Sequence, residues 1–426
     1  MGHLFAQNSY EETISIRDTL EGVDRLGFVG PLPALAAAFL ALGILLYRRV
    51  NLGIALISTA SILGLLSLDL EEIPRVIWQT TEAPITLSLV GATFGIMLLS
   101  QLYRETKAIE ALSHSLSKTV GRPRLVASIL PAVIGLLPVA GGALMSAPMV
   151  ETETDKLDLR KEKKTYVNIW FRHVIFPVYP MSQVLILTAA LTGTSVNVLV
   201  LRQIPVVIAM ISIGYVIGFR RSSAFNGAQN IGDMHTNLKT FLLMFSPILA
   251  MILSVLLFKF DVWIAALIGV VLLVCIKRPG LTILRRVFSN KAIYMISLAA
   301  YGAMLLRGVT MASGVSEAVG EILAGGTLDS VLLLATIPAI LGFLVGSPSG
   351  GIAISVPMLA GSLSFTAPAA SLLYISAFFG YLGAPTHLCL VLTADYFKCQ
   401  LGKLYKYMIP SLAISFATAL VVYALF

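Results

Sequence analysis

Charge is scarce in this chain. Only 12% of its 426 residues are Asp, Glu, Lys or Arg, about half the share of an ordinary soluble domain. Cysteine is scarce too: Cys275, Cys389 and Cys399 all lie in or beside apolar segments. Three scattered thiols form neither a disulfide framework nor a metal-ligand spacing, and read as packing residues. No HExxH, GxSxG or Walker A motif occurs, so no catalytic residues, resident metal or cofactor are expected. The mixed-sign run from Glu151 to Lys164 reads as a solvated loop.

What the chain has instead is apolar length. Its composition is 57% apolar with a mean hydropathy of +0.88, and many runs approach the roughly 20 residues that cross a bilayer. The net charge of +8 sits in short loops between those runs, as membrane topology demands, and implies no nucleic acid. Residues 1–26 are polar and carry Glu11, Glu12, Asp18, Glu21 and Asp24, which is wrong for a cleaved signal. They are expected to be an extracytoplasmic segment before a retained first helix.

The apolar runs predict helices at 27–47, 50–68, 83–103 and 203–219, with a Gly/Pro-rich element at 125–150 and a broken segment at 166–193. After a cytoplasmic linker at 220–240 the order recurs: 241–258, 260–276, 292–310, a Gly/Pro element at 329–359, a broken segment at 368–397 and a helix at 407–426. The recurrence extends to residues. With two extra residues in the second copy, Pro131, Gly135, Gly141, Gly142, Ser146 and Pro148 align with Pro338, Gly342, Gly350, Gly351, Ser355 and Pro357. In the broken segments Pro180, Thr188 and Ala189 align with Pro385, Thr393 and Ala394. Corresponding Gly/Pro-interrupted apolar segments in two halves point to a transporter's binding site.

Each Gly/Pro element is too long for one straight span and has a Gly-rich centre, which fits two half-length helices forming a re-entrant hairpin. With both elements re-entrant, most of the 30 Lys and Arg fall on one side with Arg48 and Arg49, the cytosolic one. Hairpin 1 is then flanked by basic loops and enters from the cytosol. Hairpin 2, flanked by Glu321, Asp329 and an uncharged stretch, enters from outside. The expected architecture is an all-α polytopic membrane protein. It holds an inverted repeat (27–219 and 241–426), about ten transmembrane helices, two of them broken, and two opposed hairpins.

Two opposed hairpins, each followed by a helix broken near a Pro and a Thr, resemble the ion transporter superfamily. Its members include sodium–dicarboxylate and citrate symporters, gluconate and arsenite permeases, and some sodium/proton antiporters. The resemblance implies a multi-pass homodimer of the cytoplasmic membrane that works by elevator-like alternating access. It also implies a site between hairpin tips (Pro138 to Ala143, Gly346 to Gly351) and helix breaks (Pro177 to Gln183, Gly383 to His387). The Ser-Asn-Thr tips of the dicarboxylate branch are replaced here by Val139-Ala140-Gly141 and Ser347-Pro348-Ser349.

The expected substrate is a small organic anion, coupled to sodium or protons; a sodium/proton antiporter on the same scaffold is the alternative. Helix N-termini at the tips offer unpaired N–H groups to an anion. Candidate substrate residues are Gly141, Gly142, Ser182, Gln183, Ser347, Ser349, Gly350, Gly351, Thr386 and His387. The glycines admit close backbone approach or, alternatively, only tight helix packing. Ser347, Ser349, Thr188, Thr393 and Asp395 are candidates for ion coupling. His387 reads as a proton or anion contact or as a packed core residue, and Asp395 as a coupling carboxylate or an interfacial partner of Lys398. Arg172 and His173 read as interfacial.

Overall fold

The computed structural model describes residues 29–137, 142–223, 234–315, 318, 329–360 and 363–425. Residues 1–26, residues 138–141 with the candidate Gly141, and Glu321 fall outside the described residues. The described elements are helical throughout. Seven helical stretches are long and apolar enough to cross a membrane, and shorter apolar helices accompany them. The protein is an all-α, multi-pass membrane protein.

One group of helices comprises α1 (Pro31–Tyr47), α2 (Leu52–Ser67), α3 (Glu72–Glu82), α4 (Pro84–Glu105) and α5 (Ala108–Val120). Next come the arms of the first Gly/Pro element, α6 (Pro123–Gly135) and α7 (Gly142–Asp155), then α8 (Lys161–His173), α9 (Gln183–Thr192) and α10 (Val196–Phe219). The order continues with α11 (Met234–Leu256), α12 (Val262–Lys277), α13 (Leu281–Phe288) and α14 (Lys291–Ala312). The second Gly/Pro element gives α15 (Ser330–Val345) and α16 (Pro348–Leu359), followed by α17 (Ala367–Gly383), α18 (Leu388–Tyr396) and α19 (Leu401–Leu425).

Both Gly/Pro elements are helix pairs packed arm against arm, α6 on α7 and α15 on α16. Proline and glycine cause the interruptions. Gly346 ends α15 at φ +65°, a left-handed conformation that costs glycine little. Ser347 then caps α16, its Oγ accepting from the Gly350 N–H at 3.3 Å, with Pro348 at the first helical position. The first broken segment stops at His173, passes a short 3-10 turn through Pro177, and restarts at Gln183. The second stops at Gly383, passes Pro385 and restarts at Leu388.

Packing occurs in matching sets. As α6 lies on α8, α15 lies on α17; as α7 meets α18, α16 meets α9; and α10 packs on α19. The other layer shows α1 on α2 as α11 on α12, and α2 on α14 as α12 on α4. Small residues allow these approaches: a Cβ on Gly53 would lie 2.7 Å from the Ala299 backbone nitrogen, and one on Gly95 2.8 Å from the Ala266 Cβ. α10, α11 and α19 leave exposed rows such as Leu201, Ile208, Leu253, Ile409 and Val421, the face suited to lipid. By contrast α8 and α17 are almost wholly interior.

The apolar runs locate the spans, although α10, α11 and α19 start six or seven residues earlier than the runs indicate. Three helices were not expected, α3, α5 and α13; each is short and amphipathic, with too little apolar length to register as a span.

Candidate functional site

A cavity of about 230 Å³ opens between α9 and α16 on one side and α2, α4 and α14 on the other. Gln183 and Leu187 of α9, and Ser347, Ser349 and Ala353 from the start of α16, form one wall. The facing wall comes from Asn51, Leu56, Leu89, Thr93 and Ala300 at α2, α4 and α14. Two helix N-termini therefore converge here, one from each half of the chain. The α9 terminus has no side-chain cap, so its first N–H groups are free for another partner. The Gln183 Nε2 is buried with no hydrogen-bond partner, a donor group on the cavity wall.

Three of the sequence-predicted residues, Gln183, Ser347 and Ser349, thus meet at one cavity. Others sit nearby without lining it. Ser182 is buried behind the break, and Thr386 is exposed beside the Gly346 turn. Thr188 bonds the Val184 carbonyl within its own helix at 2.8 Å. Thr393 receives a 3.3 Å hydrogen bond from Asn168, which also donates to the Ala143 carbonyl and accepts from Ser146. That buried network ties α7, α8 and α18 together.

Several expectations are corrected. Gly350 and Gly351 close the hairpin rather than face the cavity: a Cβ on Gly351 would lie 2.9 Å from the backbone of Gly342, and one on Gly350 would meet the Val345 side chain. Gly142 likewise faces a side chain, the guanidinium of Arg172. Asp395 is 78% exposed and pairs with Lys398 at 3.0 Å, outside the site, because α18 turns it to the surface one helical turn from the loop. Arg172 and His173 are buried within the protein, at 3% and 0% exposure.

His387 is also fully buried, and it lies against His173 with ring centroids 4.8 Å apart. Tyr381 bridges the two rings, its hydroxyl 2.6 Å from Nε2 of His387 and 3.5 Å from that of His173. The His173 Nδ1 donates to the Ile169 carbonyl at 2.7 Å, since a carbonyl can only accept. Among the described residues, His173, His387 and Cys389 bring ligand atoms within 4.8 Å of one another. The adjacent positive charge of Arg172 opposes a cation there. Sequence reasoning missed this cluster; the available signal was that Arg172 aligns with Ala377, a buried position in the second half.

The described fold, with two helix pairs and two interrupted helices beside a cavity, is that of an all-α, polytopic membrane protein. A crystal structure of the Alcanivorax borkumensis YdaH transporter is similar to it, with a TM-score of 0.62, 12% identity, and coverage of 90% of this chain and 97% of that one. The chain belongs to the DUF401 family, described as proteins of unknown function, which it matches over residues 33–426. No curated protein matches the chain by sequence.

Proposed function

We propose that the protein is a secondary active transporter of a small organic anion of carboxylate type, working by elevator-like alternating access in the cytoplasmic membrane. One observation carries this reading: the N-termini of α9 and α16 converge, with Gln183, Ser347 and Ser349, on a cavity whose other wall belongs to α2, α4 and α14. Helix N-termini and neutral donors suit an anion. A site shared between two helix groups gains and loses access as one group moves against the other.

The matching packing sets support an inverted repeat, and the ion transporter superfamily resemblance fits it. The repeat is asymmetric at one place. α9 and α16 pack on α4 and α14, without equally extensive packing from their counterparts α18 and α7. That is the asymmetry expected of one end state of an elevator. Asn51 lines the cavity close to Arg48 and Arg49, which the charge distribution assigns to the cytosol, so the state is inward-facing. The coupling ion is sodium or a proton, and two copies associate as a homodimer. The antiporter alternative, with Asp395 or His387 as proton carrier, is left with the buried His387, since Asp395 pairs with Lys398 at the surface.

Substitution tests the cavity directly. Gln183→Ala and Ser349→Ala should each weaken carboxylate affinity several-fold, matching a single hydrogen bond of about 0.5–1.5 kcal/mol, with the fold intact by melting temperature. Unchanged apparent affinity in both variants would place the substrate elsewhere. Orientation is checked by single cysteines at Lys161 and Ser364. The first should be labelled only from the cytosol and the second only from outside; labelling of both from one face contradicts opposed hairpins.

A further inference from the structure

The cavity has a counterpart related to it by the repeat. If the halves are exchanged, α16 corresponds to α7 and α9 to α18, so the starts of α7 and α18 should form the equivalent place. Arg172 is found there. Its guanidinium packs against Gly142, the first residue of α7, and its charge acts on His387, the residue before α18. We propose that Arg172 holds an anionic group, a carboxylate, between the N-termini of α7 and α18; this rests on the transporter reading and assigns the charged end of its substrate.

Three observations carry the assignment. First, Arg172 is 3% exposed, and its Nε and Nη1 have no hydrogen-bond partner. No carboxylate among the described residues pairs with it: the ion pairs there involve only Lys156, Lys164, Lys398 and Lys403. An unpaired cation at membrane depth is costly, so such a residue marks an ion or substrate path. Second, the guanidinium has no packing role that demands it. A Cβ on Gly135 would strike the Arg172 carbonyl, and one on Gly342 the Ala377 carbonyl. The close helix approach is thus the same in both halves, and alanine suffices for it in the second.

Third, more donors surround the guanidinium. The α18 terminus has no side-chain cap, and the His387 Nδ1 is buried without a partner. When the Tyr381 hydroxyl donates to Nε2, a neutral His387 carries its proton on that Nδ1. The groups facing this place are therefore Arg172, His173, His387, Tyr381 and Cys389, none of them a carboxylate. A carboxylate would supply the missing negative charge and accept the forked pair of guanidinium bonds.

The test uses the full chain purified in detergent, melted with and without acetate, succinate or citrate. Wild type should be stabilised by at least one of these probes in a concentration-dependent way. Arg172→Gln should melt no lower than wild type without anion and lose that stabilisation at least tenfold in concentration. Arg172→Lys, which keeps charge without the fork, should retain part of it. Stabilisation that survives in Arg172→Gln overturns the assignment and leaves the transporter reading standing. An Arg172→Gln protein that fails to fold also contradicts it, since the guanidinium would then be structural. Failure of every probe on wild type, with no uptake of the same anions, overturns both.

Discussion

Replacing Gly351 by valine should collapse the yield of folded protein, whereas valine at its repeat counterpart Gly142 should leave a folded protein that no longer binds anion. The two glycines align in sequence but face different neighbours. A Cβ on Gly351 would lie 2.9 Å from the N and Cα of Gly342 and 3.2 Å from the Pro338 carbonyl oxygen. All three are backbone atoms, so α15 and α16 must separate. Overpacking of this kind costs about 1–3 kcal/mol, and a β-branched side chain reaches further than a single methyl. At Gly142 the obstacle is the far end of the Arg172 side chain, which has rotamers to escape into. The guanidinium is displaced and the fold survives. Gel filtration and melting curves for both variants distinguish the cases, and equal behaviour would show that the two tips have the same role.

Bridging the cavity should abolish transport outright. Ala300 on α14 and Ala353 on α16 line the same cavity from opposite walls. In a background lacking Cys275, Cys389 and Cys399, cysteines at those two positions can be joined by a short bifunctional methanethiosulfonate. If α16 must move against α14 in each cycle, the bridged protein loses uptake by tenfold or more, and reduction restores it. The singly substituted controls, treated identically, should keep their activity. Full uptake in a completely bridged protein would mean that these helices stay together throughout the cycle.

The hairpins and breaks were legible in the sequence because their cause is local. Glycine at positive φ and a Ser-Pro helix start act within a few residues at the second hairpin, and mid-segment prolines recur in both halves. The amphipathic helices α3, α5 and α13 were not legible, since their apolar faces are narrow and only packing on a neighbour reveals them. For example, α5 packs on α11, more than a hundred residues away. The site divided in the same way. Gln183, Ser347 and Ser349 follow from their places at the turns. The repeated glycines misled, because repetition marks a shared constraint without saying whether a ligand or a helix imposes it. Arg172 misled most: it lies in α8, a thirteen-residue helix that begins in a basic loop, so its charge read as belonging to the interface. Only its alignment with Ala377 hinted at depth.

The central claim is that the chain carries an organic anion across the membrane by coupling it to an ion gradient. It is tested most directly in proteoliposomes holding the full-length protein, supplied with radiolabelled acetate, succinate or citrate under an imposed sodium or proton gradient. The expected result is accumulation of a labelled carboxylate above its external concentration, collapsing when the gradient is dissipated and absent in Arg172→Gln. Sodium/proton exchange with no carboxylate movement under either gradient would contradict it.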